Sequence, residues 1–211
     1  MNLARLLQLA SPALPVGAYS YSGGLEAAIE AGTVTDAASA RRWIGDVLEF
    51  SLARMEVPLL FRMIEDPEAM QTLNETFLAS RETAELRAET VQMGYSLKRL
   101  LKDLGAGEVP LEEPAFPAAY AFAAVQWKID PAAALQAYLW AWLENQVMAA
   151  LKAVPLGQTD GQRILLSIGE HLPSRAKKAM ELEIQDLQNF APGLAMLSAR
   201  HETQYSRLFR S

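Results

Sequence analysis

Apolar residues recur at helical spacing along most of the chain, and alternating apolar and polar runs rich in Val, Ile and Thr are nearly absent, so the pattern predicts an all-α protein with no sheet. Asp66-Pro67-Glu68 and Asp130-Pro131 each place a capping carboxylate before a proline in the first helical turn, where the missing N–H costs nothing, and mark two helix starts. Thr35 or Asp36 caps a segment running toward Met55 with Trp43, Val47, Phe50 and Arg54 in helical register, until Pro58 imposes a kink or boundary. From Glu82 to Leu104, the residues Leu86, Met93, Leu97, Leu100 and Leu104 share a face, and Gly105 supplies a left-handed stop. Residues 105–117 carry Gly107, Pro110 and Pro114 among acidic residues and form a connecting loop. Residues 132–152 are apolar almost all round, with Leu135, Leu139, Trp142 and Val147 toward one side and Trp140, Met148 and Leu151 elsewhere. Such a helix is central or lies at an interface. Ser174 caps a last major helix reaching about Asn189, and Pro192-Gly193 breaks it. The expected architecture is one helical bundle of roughly eight to ten helices over residues 1–211, without internal repeats.

Composition narrows the function classes. A hydrophobic content of 51% with only 21% charged residues supplies a continuous core and points to some apolar surface meeting a partner. The net charge of −6, without a basic stripe, makes nucleic acid an improbable partner. No cysteine is present, so disulfides, thiolate metal sites and cysteine nucleophiles are excluded, and the cytoplasm is the expected compartment. Residues 1–10 are too short an apolar stretch for a membrane span and are interrupted by Arg5, so neither a secretion nor a membrane signal is expected.

Chemistry-bearing constellations are sparse. His171 and His201 do not pair as HxxxH or HxH, so no built-in metal site is expected, and each reads as a surface or capping residue. Gly157-Gln158-Thr159-Asp160-Gly161 lacks the lysine of a phosphate loop, and Ser20 and Ser22 fall outside any GxSxG elbow. Glu112-Glu113 reads as a solvated pair. Three stretches are unusual for a plain bundle. Residues 6–26 run from a short helix into a turn carrying Pro15, Gly17, Tyr19, Ser20, Gly24 and Glu26. Residues 138–162 place two tryptophans beside Glu144-Asn145-Gln146 and continue through Lys152 to Pro155, Gly157, Gln158 and Gly161. The tail, residues 201–211, interleaves Arg207 and Arg210 with Tyr205, Leu208 and Phe209, an adhesive composition at a terminus that would ordinarily fray.

In combination these stretches resemble the urease accessory protein F family: an LLQLASPALPVG-type opening and SYS-type turn over residues 6–26, Gln92-Met93-Gly94, an ENQ helix leading into PLGQTDGQR over residues 144–163, and a HETQYSRLFRS-type ending. The resemblance spans the whole chain. It departs where Ala18 stands in place of a common glycine and where Gly23-Gly24 replaces a polar residue plus glycine. It implies an all-helical, two-fold homodimer without cofactor or catalytic residues, bridging UreD (also called UreH) to the GTPase UreG on apo-urease during nickel delivery. The turn 11–26 and the segment 144–161, with Lys152, would then face the GTPase, and 205–210 would hold UreD. Two alternatives remain open. One is activation of UreG through an arginine such as Arg163 or Arg207. The other is a helical enzyme whose pocket is lined by Tyr138, Trp140 and Trp142, with Glu144 as base. Loss of residues 205–211 is expected to abolish UreD binding and leave helical content nearly intact.

Overall fold

The computed structural model describes residues 2–211; Met1, at the head of the expected 1–211 domain, lies outside them. Among the described residues there are eleven α-helices and no strand. Nine have ten residues or more: α3 (Ala37–Phe50), α4 (Glu56–Glu65), α5 (Met70–Ala79), α6 (Ala84–Asp103), α7 (Phe116–Gln126), α8 (Pro131–Ala153), α9 (Gln158–Gly169), α10 (Leu172–Glu181) and α11 (Pro192–His201). The shorter α1 (Leu3–Ala10) and α2 (Leu25–Glu30) flank the glycine-bearing turn.

Local chemistry sets the helix ends. Asp36 caps α3 through a reciprocal pair: its carboxylate accepts from the Ser39 N–H at 2.8 Å, and its own N–H donates to Ser39 Oγ at 3.0 Å. These bonds hold the Asp36 carboxyl below its ordinary range. Thr83 caps α6, Asp130 caps α8 ahead of Pro131, and Gly105 ends α6 in the left-handed region at φ 68°. Pro58 sits in the first turn of α4, after a single 3₁₀ turn separates it from α3, so the expected boundary is present.

Helix α8 runs through the centre, packed by α1, α2, α3, α4, α9 and α10, and its Leu135, Leu139, Leu143 and Ala150 have no exposed surface. Beside it α7 lies between α4 and α6 with Ala118, Ala119, Ala121, Ala123 and Ala124 all fully buried. Methyl-sized side chains let three helices approach closely there. The tightest approach is at Gly94 on α6, where an added Cβ would stand 2.0 Å from the Pro114 carbonyl oxygen. Asn74 pins that crossing, donating to the Glu113 carbonyl at 2.9 Å and accepting from Ala115 N–H at 2.8 Å, while Thr90 Oγ1 accepts from Phe116 N–H at 3.0 Å. The buried apolar residues form one continuous cluster that reaches all eleven helices.

The structure departs from the sequence pattern in three places. The core face of α6 is Leu86, Met93, Leu97 and Leu101, and Leu104 is exposed, because the helix unwinds at Leu104 before completing the next turn. Helix α10 ends at Glu181, not near Asn189, and its N-cap is His171; Ser174 lies inside it and donates to the His171 carbonyl. Residues 182–191 leave the helix to run beside the α3–α4 junction: Arg62 donates to the Leu182 carbonyl, Gln188 N–H to the Arg54 carbonyl and Phe190 N–H to the Phe50 carbonyl. Pro192 then opens α11 instead of closing its predecessor.

Candidate functional site

The turn between α1 and α2 is shaped by three left-handed glycines, Gly17 (φ 80°), Gly23 (φ 56°) and Gly24 (φ 82°), a conformation that costs a side-chain-bearing residue about 1 kcal/mol or more. Gly24 also lacks room, since a Cβ there would meet Leu194 of α11 at 2.6 Å. The Gly23-Gly24 pair is therefore suited to this turn. The ENQ segment of α8 holds it from below: Asn145 donates to the Tyr21 carbonyl at 3.1 Å, and buried Gln146 sits under Gly23.

The tail closes the site from the other side. Its residues dock: Phe209 is 6% exposed and Ser211 has no exposed surface. Glu26, buried at the start of α2, accepts the Leu208 N–H at 2.7 Å and the Phe209 N–H at 2.9 Å. Arg210 N–H donates to the Ser20 carbonyl at 2.9 Å, and Ser22 donates both its N–H and its hydroxyl to the Ser211 carbonyl. Lys152 lies over the Phe209 ring, 5.6 Å from its centroid. The three unusual stretches, far apart in sequence, thus meet around one surface cleft lined by Tyr19, Ser20, Lys152, Leu208, Phe209 and Arg210.

This arrangement sorts the residues singled out from the sequence. Pro15, Tyr19, Lys152, Tyr205, Leu208 and Arg210 are exposed, and Ser20, Glu144 and Asn145 are partly so. Glu26, Gly24 and Phe209 are buried by their own chain and are not free surface: the Glu26 carboxylate is filled by strap amides and Phe209 packs inward. Gly161 is buried against Leu151, where a Cβ would come within 2.9 Å, so it serves packing of α9 on α8. Pro155 and Gly157 are exposed in the α8–α9 connection and Gln158 at the first position of α9, all outside the cleft lining. Arg207 is committed to the Glu85 carboxylate at 2.6 Å and to the Glu202 carbonyl at 2.8 Å. A terminus that would ordinarily fray is instead a docked strap, because backbone donors at Leu208 and Phe209 find a buried acceptor.

His201 also differs from its expected surface role. It has no exposed surface and lies between two carboxylates, Nδ1 at 2.6 Å from Glu85 and Nε2 at 3.2 Å from Glu26. His171 is exposed at the start of α10. Among the described residues no cluster of three His, Cys, Asp or Glu side chains is placed to hold a metal ion, and no helix is long and apolar enough to cross a membrane.

Beneath the turn lies an open cavity of about 230 Å³, lined by Leu9, Leu14, Val16, Phe77, Met93, Phe116, Trp142 and Met148 together with Glu56, Arg81, Glu89, Tyr138 and Glu144. The Tyr138 hydroxyl donates to Glu56, Arg81 stands 3.6 Å from the other Glu56 oxygen, and Phe116, Tyr120 and Tyr138 form an aromatic cluster with centroids 5.0 to 6.0 Å apart. Burial pushes the Glu56 carboxyl up, with Arg81 and Tyr138 opposing, and pushes Glu89 up to about 7. Glu144 is also raised by burial. Trp140 is not in the lining; its ring rests against Gly169. Sequence reading missed Glu56, Arg81, Glu89 and the Glu26–His201–Glu85 chain. Only Glu56 carried a signal, as a lone carboxylate within Met55-Glu56-Val57-Pro58-Leu59-Leu60.

The chain matches the family model described as UreF over residues 34–169. It is similar along its length to curated proteins named "Urease accessory protein UreF": 60% identical to that of Azoarcus sp. (strain BH72), covering 100% of this chain and 96% of that protein. It is 53% identical to that of Dechloromonas aromatica (strain RCB), covering 100% and 98%, and 51% identical to that of Janthinobacterium sp. (strain Marseille), covering 99% and 98%. The chain belongs to the UreF family of urease accessory proteins.

Proposed function

We propose that this chain is a non-enzymatic adaptor of urease maturation, working in the cytoplasm as a homodimer that bridges UreD/UreH to the GTPase UreG on apo-urease while nickel is inserted. One observation carries the reading: the turn, the ENQ helix and the strap converge on a single cleft bearing Tyr19, Ser20, Lys152, Leu208 and Arg210. Exposed Tyr and Arg beside an apolar anchor are the residue types that dominate protein interfaces. The turn and Lys152 are assigned to the GTPase, the exposed strap residues Tyr205, Leu208 and Arg210 to UreD.

Light scattering on the chromatographed chain tests this, alone and with UreD and UreG. Formation of a three-protein complex only in the presence of UreD supports the adaptor, and a chain that ignores both partners overturns it.

GTPase activation is the second reading. Arg163 is its available arginine, exposed on α9 and held only by Asp160 at 3.0 Å, whereas Arg207 is spent on Glu85 and Glu202. The pocket-enzyme reading has a cavity but lacks a reactive arrangement: Glu56 is occupied by Tyr138 and Arg81, and Glu144 has no nucleophile or second carboxylate bonded to it.

A further inference from the structure

The cavity beneath the turn combines apolar walls with a compact polar cluster. Phe77, Met93, Phe116 and Trp142 supply polarisable surface, and the cluster is drawn from Glu56 of α4, Glu89 of α6 and Arg81 in the connection between α5 and α6. Arg81 and Glu56 are interior groups, with side chains 8% and 12% exposed. Arg81 is held in place by the Phe77 ring, 4.3 Å from its centroid, and by a bond from Nη2 to Ser80 Oγ at 3.2 Å.

Each of the three keeps one atom unspent. The Tyr138 hydroxyl takes one Glu56 oxygen, and Arg81 Nη1 stands 3.6 Å from the other, beyond hydrogen-bonding reach. Ser211 takes one Glu89 oxygen. Among the described residues nothing donates to Glu56 Oε2 or Glu89 Oε1 and nothing accepts from Arg81 Nη1, yet none of these atoms is sealed inside the packing as Arg81 Nε is. The cavity thus offers two carboxylate acceptors and one guanidinium donor, where interior polar groups are ordinarily paired. A carboxylate ligand would suit Arg81 but face two like charges, and an ammonium ligand has no acceptor for Arg81. A primary carboxamide has one carbonyl oxygen and two N–H groups, the complement of the three unspent atoms, and no charge to desolvate. The volume sets the rest of the molecule: benzene occupies an apolar cavity of about 150 Å³, and about 230 Å³ takes one such ring with an amide attached.

We propose that this cavity is a binding site for a small uncharged molecule, a primary carboxamide carried on a single compact apolar ring. The amide carbonyl accepts from Arg81 Nη1, its N–H groups donate to Glu56 and Glu89, and the ring lies among Phe77, Phe116 and Trp142. Tyr19 and Lys152 line both this cavity and the surface cleft, so an occupied cavity meets the cleft through those two side chains.

The test uses the full chain alone and does not depend on the adaptor reading. Benzamide is titrated into methionine-methyl-labelled protein at about pH 8, above the value of about 7 to which burial raises Glu89, so that this carboxylate accepts. NMR shifts of the Met93 and Met148 methyls, both in the lining, should saturate, while Met180 of α10, outside it, stays unmoved. A Kd on the order of 1 mM or below is expected for a ligand of about ten heavy atoms. Benzoate and benzylammonium should each bind at least about tenfold more weakly, because each leaves part of the cluster unpaired or facing like charge. Ala141→Leu, which enlarges a lining side chain, should abolish the shifts. Absence of shifts at about 10 mM benzamide overturns the proposal. Equal affinity for the three molecules, or shifts at Met180 without Met93 and Met148, also overturns it, whether or not the variant folds. A folded Ala141→Leu chain that still binds does the same.

Discussion

Replacing Gly94 by alanine separates helix propensity from packing. In a helix interior alanine is favoured over glycine by roughly 0.5–1 kcal/mol, so on secondary structure alone Gly94→Ala stabilises α6. The crossing with the 105–117 loop reverses the sign. The new Cβ would stand 2.0 Å from the Pro114 oxygen and 2.8 Å from two backbone carbons, whereas a relaxed carbon–oxygen contact needs about 3.3 Å. Some 1.3 Å of movement is therefore needed, about the difference of those two distances. The obstacle is backbone, held by two bonds to Asn74 and one to Thr90, and cannot swing aside as a side chain would. Losing two or three such bonds at about 1 kcal/mol each, with overpacking of about 1–3 kcal/mol, outweighs the propensity gain. The expected net loss is roughly 2–5 kcal/mol, a fall in Tm of about 5–20 °C for a chain of this size. Gly45 in α3 is the control, since its Cβ would meet nothing within 4 Å. Gly45→Ala should raise Tm by about 1–4 °C. Both are measured by thermal and urea unfolding followed by circular dichroism. A Gly94→Ala protein at least as stable as the parent would refute the packing argument.

Other substitutions probe the buried polar groups. Tyr138→Phe removes the hydroxyl donor from buried Glu56 and should cost about 1–3 kcal/mol in urea unfolding. Stability of the parent should decline as pH rises through about 7, because Glu89 must ionise while buried; Glu89→Gln should reduce that slope. Deleting 205–211 should lower stability by about 2–5 kcal/mol, since it exposes the site of Phe209 and strips donors from Glu26 and Glu89. Calorimetry of the truncated chain checks this. Arg163→Ala should leave GTP hydrolysis by UreG unchanged if the chain is an adaptor, whereas a loss of roughly 10³ or more would favour activation.

What could be read from the sequence was what neighbouring residues decide. Asp36 and Asp130 cap through bonds to residues three positions away, and Gly105 stops α6 by its own φ, so those boundaries needed no tertiary knowledge. Pro192 was ambiguous, because a proline is equally suited to following one helix and opening the next, and packing of Leu194 and Leu197 chose the second. The end of α10 was hidden for a similar reason: backbone groups of 182–191 find Phe50, Arg54 and Arg62 as partners, none of them near in sequence. The stretches that build the cleft were legible as unusual, but not the sorting of their residues. Glu26 and Phe209 read as partner contacts until the Phe209 N–H is seen bonded to the Glu26 carboxylate across 183 positions. His201 carried no local mark of burial at all.

The contact between Ser22 and Ser211 spans 189 positions, which fixes an order of events during synthesis. The turn, α2 and the acidic groups of α6 emerge early, and domains generally acquire structure from the N-terminal side as they are made. Glu26 and Glu89 must then wait, without their hydrogen-bond donors, until the strap has been translated. A nascent chain can thus hold a nearly complete helical core with this seam still unsealed, and the strap closes a long loop whose ends the core has already brought together, so little further loop entropy opposes it.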